Sequence, residues 1–213
     1  MRYRHIQCFL IMFVLIFATR CIYGGIVESL MYAVENGRTG KVKKLLAKGV
    51  NVDSKDKNGM TSLMHAARYG LTDIIQILLD RNANVNMRNK RGATALMFAS
   101  QHNRAKVVRT LLASGADVDM INKSGSSALM LAVKDRKTKA VKALLDGGAD
   151  INKELIIAAR RAGTTESIKS LLHYGADANT RNEEGITALM AAAAKENVRS
   201  VKVLLSKGAE VNM

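Results

Sequence analysis

The side chains best suited to chemistry are few and scattered. The histidines are His5, His65, His102 and His173, and the cysteines are Cys8 and Cys21. No histidine has a second His, Cys or carboxylate at metal-ligand spacing. The segment "SKDKNG" from Ser54 puts Asp56, Asn58 and Gly59 in the phase of a calcium loop. Ser54, however, stands where the first ligand belongs, and His65 where a bidentate Glu is needed, so the loop is rejected as a metal site. The chain has no Gly-x-Ser-x-Gly elbow, no phosphate-cradling glycine loop and no His-Glu-x-x-His. "NKS" at Asn122 is a glycosylation sequon, meaningful only on a eukaryotic secretory route. These absences predict a protein without catalytic residues, bound metal or cofactor.

The elements around these residues are far more regular than the residues themselves. Leu-Leu pairs at 45, 78, 111, 144, 171 and 204 are separated by 33, 33, 33, 27 and 33 residues. Four residues after the first Leu of each pair comes a turn, as in "GVNVD" at Gly49 or "GADVD" at Gly115. Ahead of four of the pairs stand Thr61, Thr94, Ser127 and Thr187, each followed by a small residue and Leu-Met. A hydroxyl there can cap the amides of a helix start. Breaks at Gly70, Asn103, Arg136 and Glu196 then separate the first helix from a second amphipathic one, such as "TDIIQILLD" from Thr72. Each unit reads as helix, turn, helix, loop, and one helix pair cannot bury its apolar face without neighbours. With 48% hydrophobic residues, 4% aromatic and no Pro or Trp, the core must be Leu, Ile, Val, Met and Ala, which suits helices.

A 33-residue unit of the form Asn/Asp-x-x-Gly-x-Thr-x-Leu, Ala-rich helix, Leu-Leu, Gly-Ala-Asp-Val-Asn resembles the ankyrin repeat. The resemblance covers residues 26–213 and implies an all-α solenoid of stacked helix pairs with β-hairpin fingers where repeats join. Six units are expected: 26–53, 54–86, 87–119, 120–152, 153–179 and 180–213. In place of the family's Thr-Pro-Leu-His this chain has Thr/Ser-Ser/Ala-Leu-Met, which makes Met64, Met97, Met130 and Met190 apolar fillers at the usual His position.

Three departures from the period bear on function. Lys41 occupies the helix position where later units have Ile74 and Val107, as an end-capping unit requires. The last unit stays apolar in "LMAAAAKEN" and "VKVLL", so that this end is either a tolerable alanine surface or a packing face. The 27-residue interval removes the finger ahead of the fifth unit, whose first helix is expected near Lys153 to Arg161. The gap is either a notch in a binding surface or a neutral loop deletion.

The N-terminus differs in kind. "MRYRH" precedes an apolar run from Ile6 to Ala18, too short for the ~20 residues of a membrane span and within the roughly 7 to 15 of a signal-peptide core. Residues 1–25 are therefore expected to be a signal peptide, giving a secreted or periplasmic protein, or else an uncleaved anchor. Both cysteines lie in this segment, so the repeats hold no cysteine pair.

Charge marks two faces. The net charge of +15, less the three arginines of residues 1–25, leaves +12 on the repeats. Lys43, Arg109, Lys142, Lys169 and Lys202 recur two residues before Leu-Leu pairs, forming a basic ladder on the outer, convex face. That ladder is either a solvated surface or an electrostatic adaptor for an acidic protein or anionic membrane. Scarce aromatics make nucleic acid the least favoured partner. By resemblance, a protein partner would bind finger tips and the exposed side of the first helix. Those positions are Lys57, Asn58, Met60, Arg68 and Tyr69; Arg88, Lys90, Arg91, Gln101 and His102; Lys123, Ser124, Lys134 and Asp135; and Glu183 and Glu184. The expected protein is a monomer that binds a protein partner across this concave surface, with a membrane-tethered adaptor as the alternative.

Overall fold

The computed structural model describes residues 25–161 and 163–212. The expected leader lies outside them, apart from Gly25, which is already helical. Helices follow in pairs: residues 25–35 (α1) with Thr39–Ala47 (α2), Ser62–Tyr69 (α3) with Thr72–Leu79 (α4), and Ala95–Gln101 (α5) with Ala105–Ala113 (α6). They continue as Ala128–Lys134 (α7) with Thr138–Asp146 (α8), Ile151–Ala159 (α9) with Thr165–His173 (α10), and Ala188–Ala193 (α11) with Val198–Ser206 (α12). The all-helical repeat solenoid expected from the sequence is what forms, and among the described residues the fingers are tight turns with isolated bridges at Lys55–Thr61 and Arg181–Thr187.

Each recurring residue has a mechanical task. Thr61, Thr94, Ser127 and Thr187 accept a hydrogen bond from the amide three residues on, at 3.3, 3.3, 3.0 and 3.2 Å, and so cap α3, α5, α7 and α11. Losing such a cap costs about 1 kcal/mol. Small residues such as Ala66, Ala99 and Ala132, all fully buried, let successive first helices pack closely, α3 on α5 and α5 on α7. Leu78, Leu111, Leu144, Leu171 and Leu204 are 0% exposed and tie the second helices to one continuous core. Each buried leucine contributes about 1.5–3 kcal/mol. Asn103, Arg136 and Glu196 adopt left-handed φ of 57°, 52° and 52° at the turns between paired helices. Only Asn is at ease there, so Arg136 and Glu196 hold strained backbone.

Repeats are also stitched through the loops. Asp53, Asn86, Asn152 and Asn179 each accept the backbone N–H of a residue in the next unit, at 3.0, 2.9, 2.8 and 2.8 Å. Asp119 holds the same place in the third unit, but it pairs with the Lys153 ammonium at 2.7 Å instead. The next unit's loop, which Asp119 would meet, runs straight into a helix without a finger. α9 starts at Ile151, straight after the preceding loop, with Asp150 capping Asn152 N and Lys153 N.

The ends behave differently. Lys41 is exposed, whereas Ile74 and Val107 are 2% and 1% exposed, as a capping first unit demands. Met64, Met97 and Met130 are buried fillers, but Met190 is 41% exposed, which corrects its assignment. Leu205 in α12 and Val211 after it are exposed as well.

Candidate functional site

The fingers are built by one device used four times. Asp56, Asn89, Asn122 and Asn182 begin them, and each side-chain oxygen accepts two backbone amides of its own turn, at 2.7–3.1 Å. Asn122, the sequon residue, is thus a structural staple. Successive fingers then join edge to edge: Lys90 N–H donates to Asn58 O at 3.2 Å, and Lys123 N–H to Arg91 O at 2.9 Å. Glycine is needed at the contact, because a Cβ on Gly59 would sit 3.0 Å from Lys90 N and one on Gly92 3.1 Å from Lys123 N, both at positive φ.

This spacing opens a concave groove of about 900 Å³ over the second to fourth units. Of the residues singled out from sequence, Asn58, Met60, Arg68, Lys90, Arg91, Gln101, His102, Ser124 and Asp135 line it. Lys57, Lys123 and Lys134 are exposed but do not line it, and Met60 is buried beneath, at 7% exposure. Tyr69 is exposed, with the Arg68 guanidinium 5.8 Å from its ring centre. Arg88 is committed elsewhere, donating from Nη2 to Ile121 O in the following loop. Sequence reasoning passed over Phe98, Leu131 and Lys137, which also line the groove. The helical period could have placed Phe98 and Leu131 there, since each follows the buried Met of its unit.

The groove is electropositive. His102 has its pKa lowered by burial first, then by the charges of Arg68, Arg104 and Lys137, with Asp135 acting in the opposite direction. Burial and the surrounding cations thus both favour its neutral form.

His65 lies elsewhere, under the second finger and 6% exposed. Its Nε2 is 3.1 Å from Asp56 Oδ2, and its Nδ1 is 2.9 Å from Glu35 Oε1, at ion-pair distance but outside hydrogen-bond geometry. Burial pushes the Asp56 carboxyl up, but hydrogen bonds from Met60 N, His65 and Asn58 N outweigh it and hold the pKa below the ordinary value. The cluster joins the first unit to the finger of the second. Its signal in the sequence was a paired departure: Asp56 where other fingers start with Asn, and His65 where α5 and α7 have Phe98 and Leu131. Carboxylates on opposite sides of one ring make a strut and not a chelate, and no group of three potential metal ligands occurs among the described residues.

Glu183 and Glu184 face a second cavity, of about 460 Å³, at the missing finger, floored by Ile156 and Ile157. Two arginines from the end of α9 span this gap. Arg161 donates from Nη1 to Gly125 O at 2.7 Å and from Nη2 to Ser124 O. Its guanidinium lies 3.4 Å from where a Gly125 Cβ would be, the place that the next finger's backbone takes at Gly59 and Gly92. Arg160 pairs with Glu184 at 3.2 Å on the far side. The stack continues across the deletion with side chains standing in for a finger.

On the convex face Lys43, Arg109, Lys142, Lys169 and Lys202 are all exposed, with Lys169 paired to Glu166 at 2.7 Å. The ladder is not evenly spaced. The outer helices approach one another from α2 to α8 and again from α10 to α12, but α10 leans on α7, and no comparable approach joins it to α8.

Comparison with known proteins places this geometry. A 58-residue segment is 43% identical to a part of the mitochondrial disaggregase of Bos taurus and 41% identical to the same protein of Homo sapiens. It covers 27% of this chain and only 9% and 8% of those proteins, so the likeness reaches a small part of either. The family described as "Ankyrin repeats (3 copies)" matches residues 30–122 and 155–213, and that described as "Ankyrin repeat" matches 124–154. Both the matches and the stacked, finger-bearing helix pairs show that the chain belongs to the ankyrin repeat family, whose members are generally protein-interaction modules.

Proposed function

We propose that this protein is a non-enzymatic binding module that holds a protein partner in its concave groove, across fingers and first helices of the second to fourth units. The groove itself supports the reading: about 900 Å³, open along its length and lined by side chains that differ from repeat to repeat. The residues of the framework are spent on caps, staples and core. The side chains at Arg91, Gln101 and His102 have no such duty, and affinity in interfaces rests on a few residues of that kind. The segment shared with the disaggregases is shorter than two repeats and covers less than a tenth of those proteins, so disaggregation is not transferred to this chain. The test is crosslinking and affinity capture from the native host with the full chain, comparing it with the Tyr69→Ala, Arg91→Glu double variant. Loss of the captured partner supports the reading, and unchanged capture refutes this surface.

The exported location belongs to the same proposal and rests on the short apolar run from Ile6 to Ala18 behind a basic segment. Intact mass of the protein from its host decides it, since a chain lacking the leader is exported and one retaining Met1 is not processed. A second reading, an electrostatic adaptor for anionic surfaces, is favoured by the exposure of all five ladder residues. Its test is binding to anionic vesicles that weakens as salt rises.

A further inference from the structure

The lining of the concave groove is rich in donors and poor in acceptors. Arg68, Lys90, Arg91 and Lys137 bring cationic donors, and Asp135 is the one carboxylate that lines it among the described residues. Two of the four lining carboxamides add to this asymmetry, because Asn89 and Asn122 spend their oxygens on finger amides and are left with NH₂ groups to offer. A ligand matching such a surface must be made of acceptors, and ionised carboxylates accept hydrogen bonds without donating any.

Shape narrows the class. The groove runs over three units whose first helices pack side by side, and neighbouring helices lie about 8–10 Å apart. Its length of roughly 20 Å accepts about six residues of extended chain at ~3.3 Å each. Base stacking has little to work with, since Phe98, half-buried, and the His102 imidazole are the aromatic rings in the lining, with no Tyr among the described lining residues.

Resting on the groove reading above, we propose that the partner's bound element is an extended acidic segment of about six residues, its carboxylates paired with Arg68, Lys90, Arg91 and Lys137. The convex ladder is not its site. There the cations stand on separate helices around a convex surface, with Lys169 already paired to Glu166.

The experiment uses the full chain and a fluorescent octapeptide of alternating Glu and Asp, read by anisotropy at low and at physiological salt. Two variants carry the same change in net charge: Lys90→Glu with Arg91→Glu in the groove, and Lys142→Glu with Lys169→Glu on the ladder. The groove variant is expected to lose about tenfold or more in affinity and the ladder variant to stay within about threefold, since charge pairs in contact count for more than distant ones. Equal losses in both overturn the proposal, leaving only the attraction of net charge. So does the absence of binding to the peptide, or tighter binding to a single-stranded oligonucleotide of the same length. If host capture still depends on Arg91 while the peptide does not bind, the acidic class fails and the interaction surface stands. If capture is insensitive to Arg91 but the peptide behaves as expected, the surface is an acidic-segment site that does not hold the captured protein.

Discussion

Arg161 is where the deleted finger was replaced, and removing it measures that replacement. Its guanidinium donates to Gly125 O at 2.7 Å and to Ser124 O. In Arg161→Ala both carbonyls lose a charged donor. A hydrogen bond from a charged group contributes about 1.5–3 kcal/mol when shielded, and much less where water can take over. The Gly125 contact is partly buried and the Ser124 contact exposed, so together they are expected to contribute about 1–2 kcal/mol. For a domain of this size that lowers Tm by roughly 2–8 °C. Arg161→Lys should recover less than half of the loss, because one ammonium cannot serve two carbonyls as a planar fork does. Urea unfolding of the three proteins followed by circular dichroism gives the values. Hydrogen exchange would localise the loosening to residues 122–126 and α9. A change below about 0.3 kcal/mol for Arg161→Ala, or full rescue by Lys, would show that the fourth finger stands without support and would refute the argument.

Arg136→Gly and Glu196→Gly relieve left-handed backbone at φ 52° and should each raise stability by about 0.5–1 kcal/mol in thermal unfolding, net of the entropy glycine adds to the unfolded chain. Asn103→Gly serves as the contrast: it should stabilise less or destabilise, since Asn103 Oδ1 also accepts Ala140 N at 3.1 Å. Burial raises the Glu154 carboxyl pKa, and Asp119 adds to this, against hydrogen bonding from Ser127 and the charges of Lys153 and Arg161. With the folded value above the unfolded one, its stabilising contribution is present at low pH and lost as pH rises through the folded value, so Glu154→Gln should flatten that decline in unfolding measured from pH 4 to 8. For Asp56, whose folded pKa is lowered, the sign is opposite: stability present above the unfolded value is lost as pH falls. Asp56→Asn keeps the finger staple, as at Asn89, and should weaken this acid-side loss while loosening the contact to His65, visible as a shift of the His65 ring resonances.

Much of the fold was legible because its instructions are local. A hydroxyl at Thr94 caps the amide three residues on, and a buried Leu111 needs only the helical period to be recognised. Features resting on contacts between units were not legible. Nothing in the string "AARRAG" tells that Arg161 reaches back 36 residues to Gly125, or that Arg88 spends its guanidinium on Ile121 O, 33 residues ahead. Glu35 and His65 are likewise joined only by stacking. The groove was half legible: repeat phase places Arg91, Gln101 and His102 on it, while Lys137, in the turn after α7, enters through tertiary geometry. Phase also does not tell how the ladder's helices approach one another, α6 meeting α8 while α10 leans on α7.

The deletion ties these observations together. In a regular stack each finger is held by the next, through bonds such as Lys123 N–H to Arg91 O. At the fifth unit that chain of support ends, and Arg161 supplies donors to the fourth finger from a helix end. The replacement leaves the basic groove of the second to fourth units with a fixed far wall. Beyond that wall the next finger presents Glu183 and Glu184, with Arg160 holding Glu184 in place. There Asp150, Glu183 and Glu184 are balanced by Lys153, Arg160 and Arg181, so an acidic segment that ran on past the fourth unit would lose the cationic excess that holds it in the groove. That boundary limits both the length and the register of what can bind, which a uniform row of basic fingers would not do.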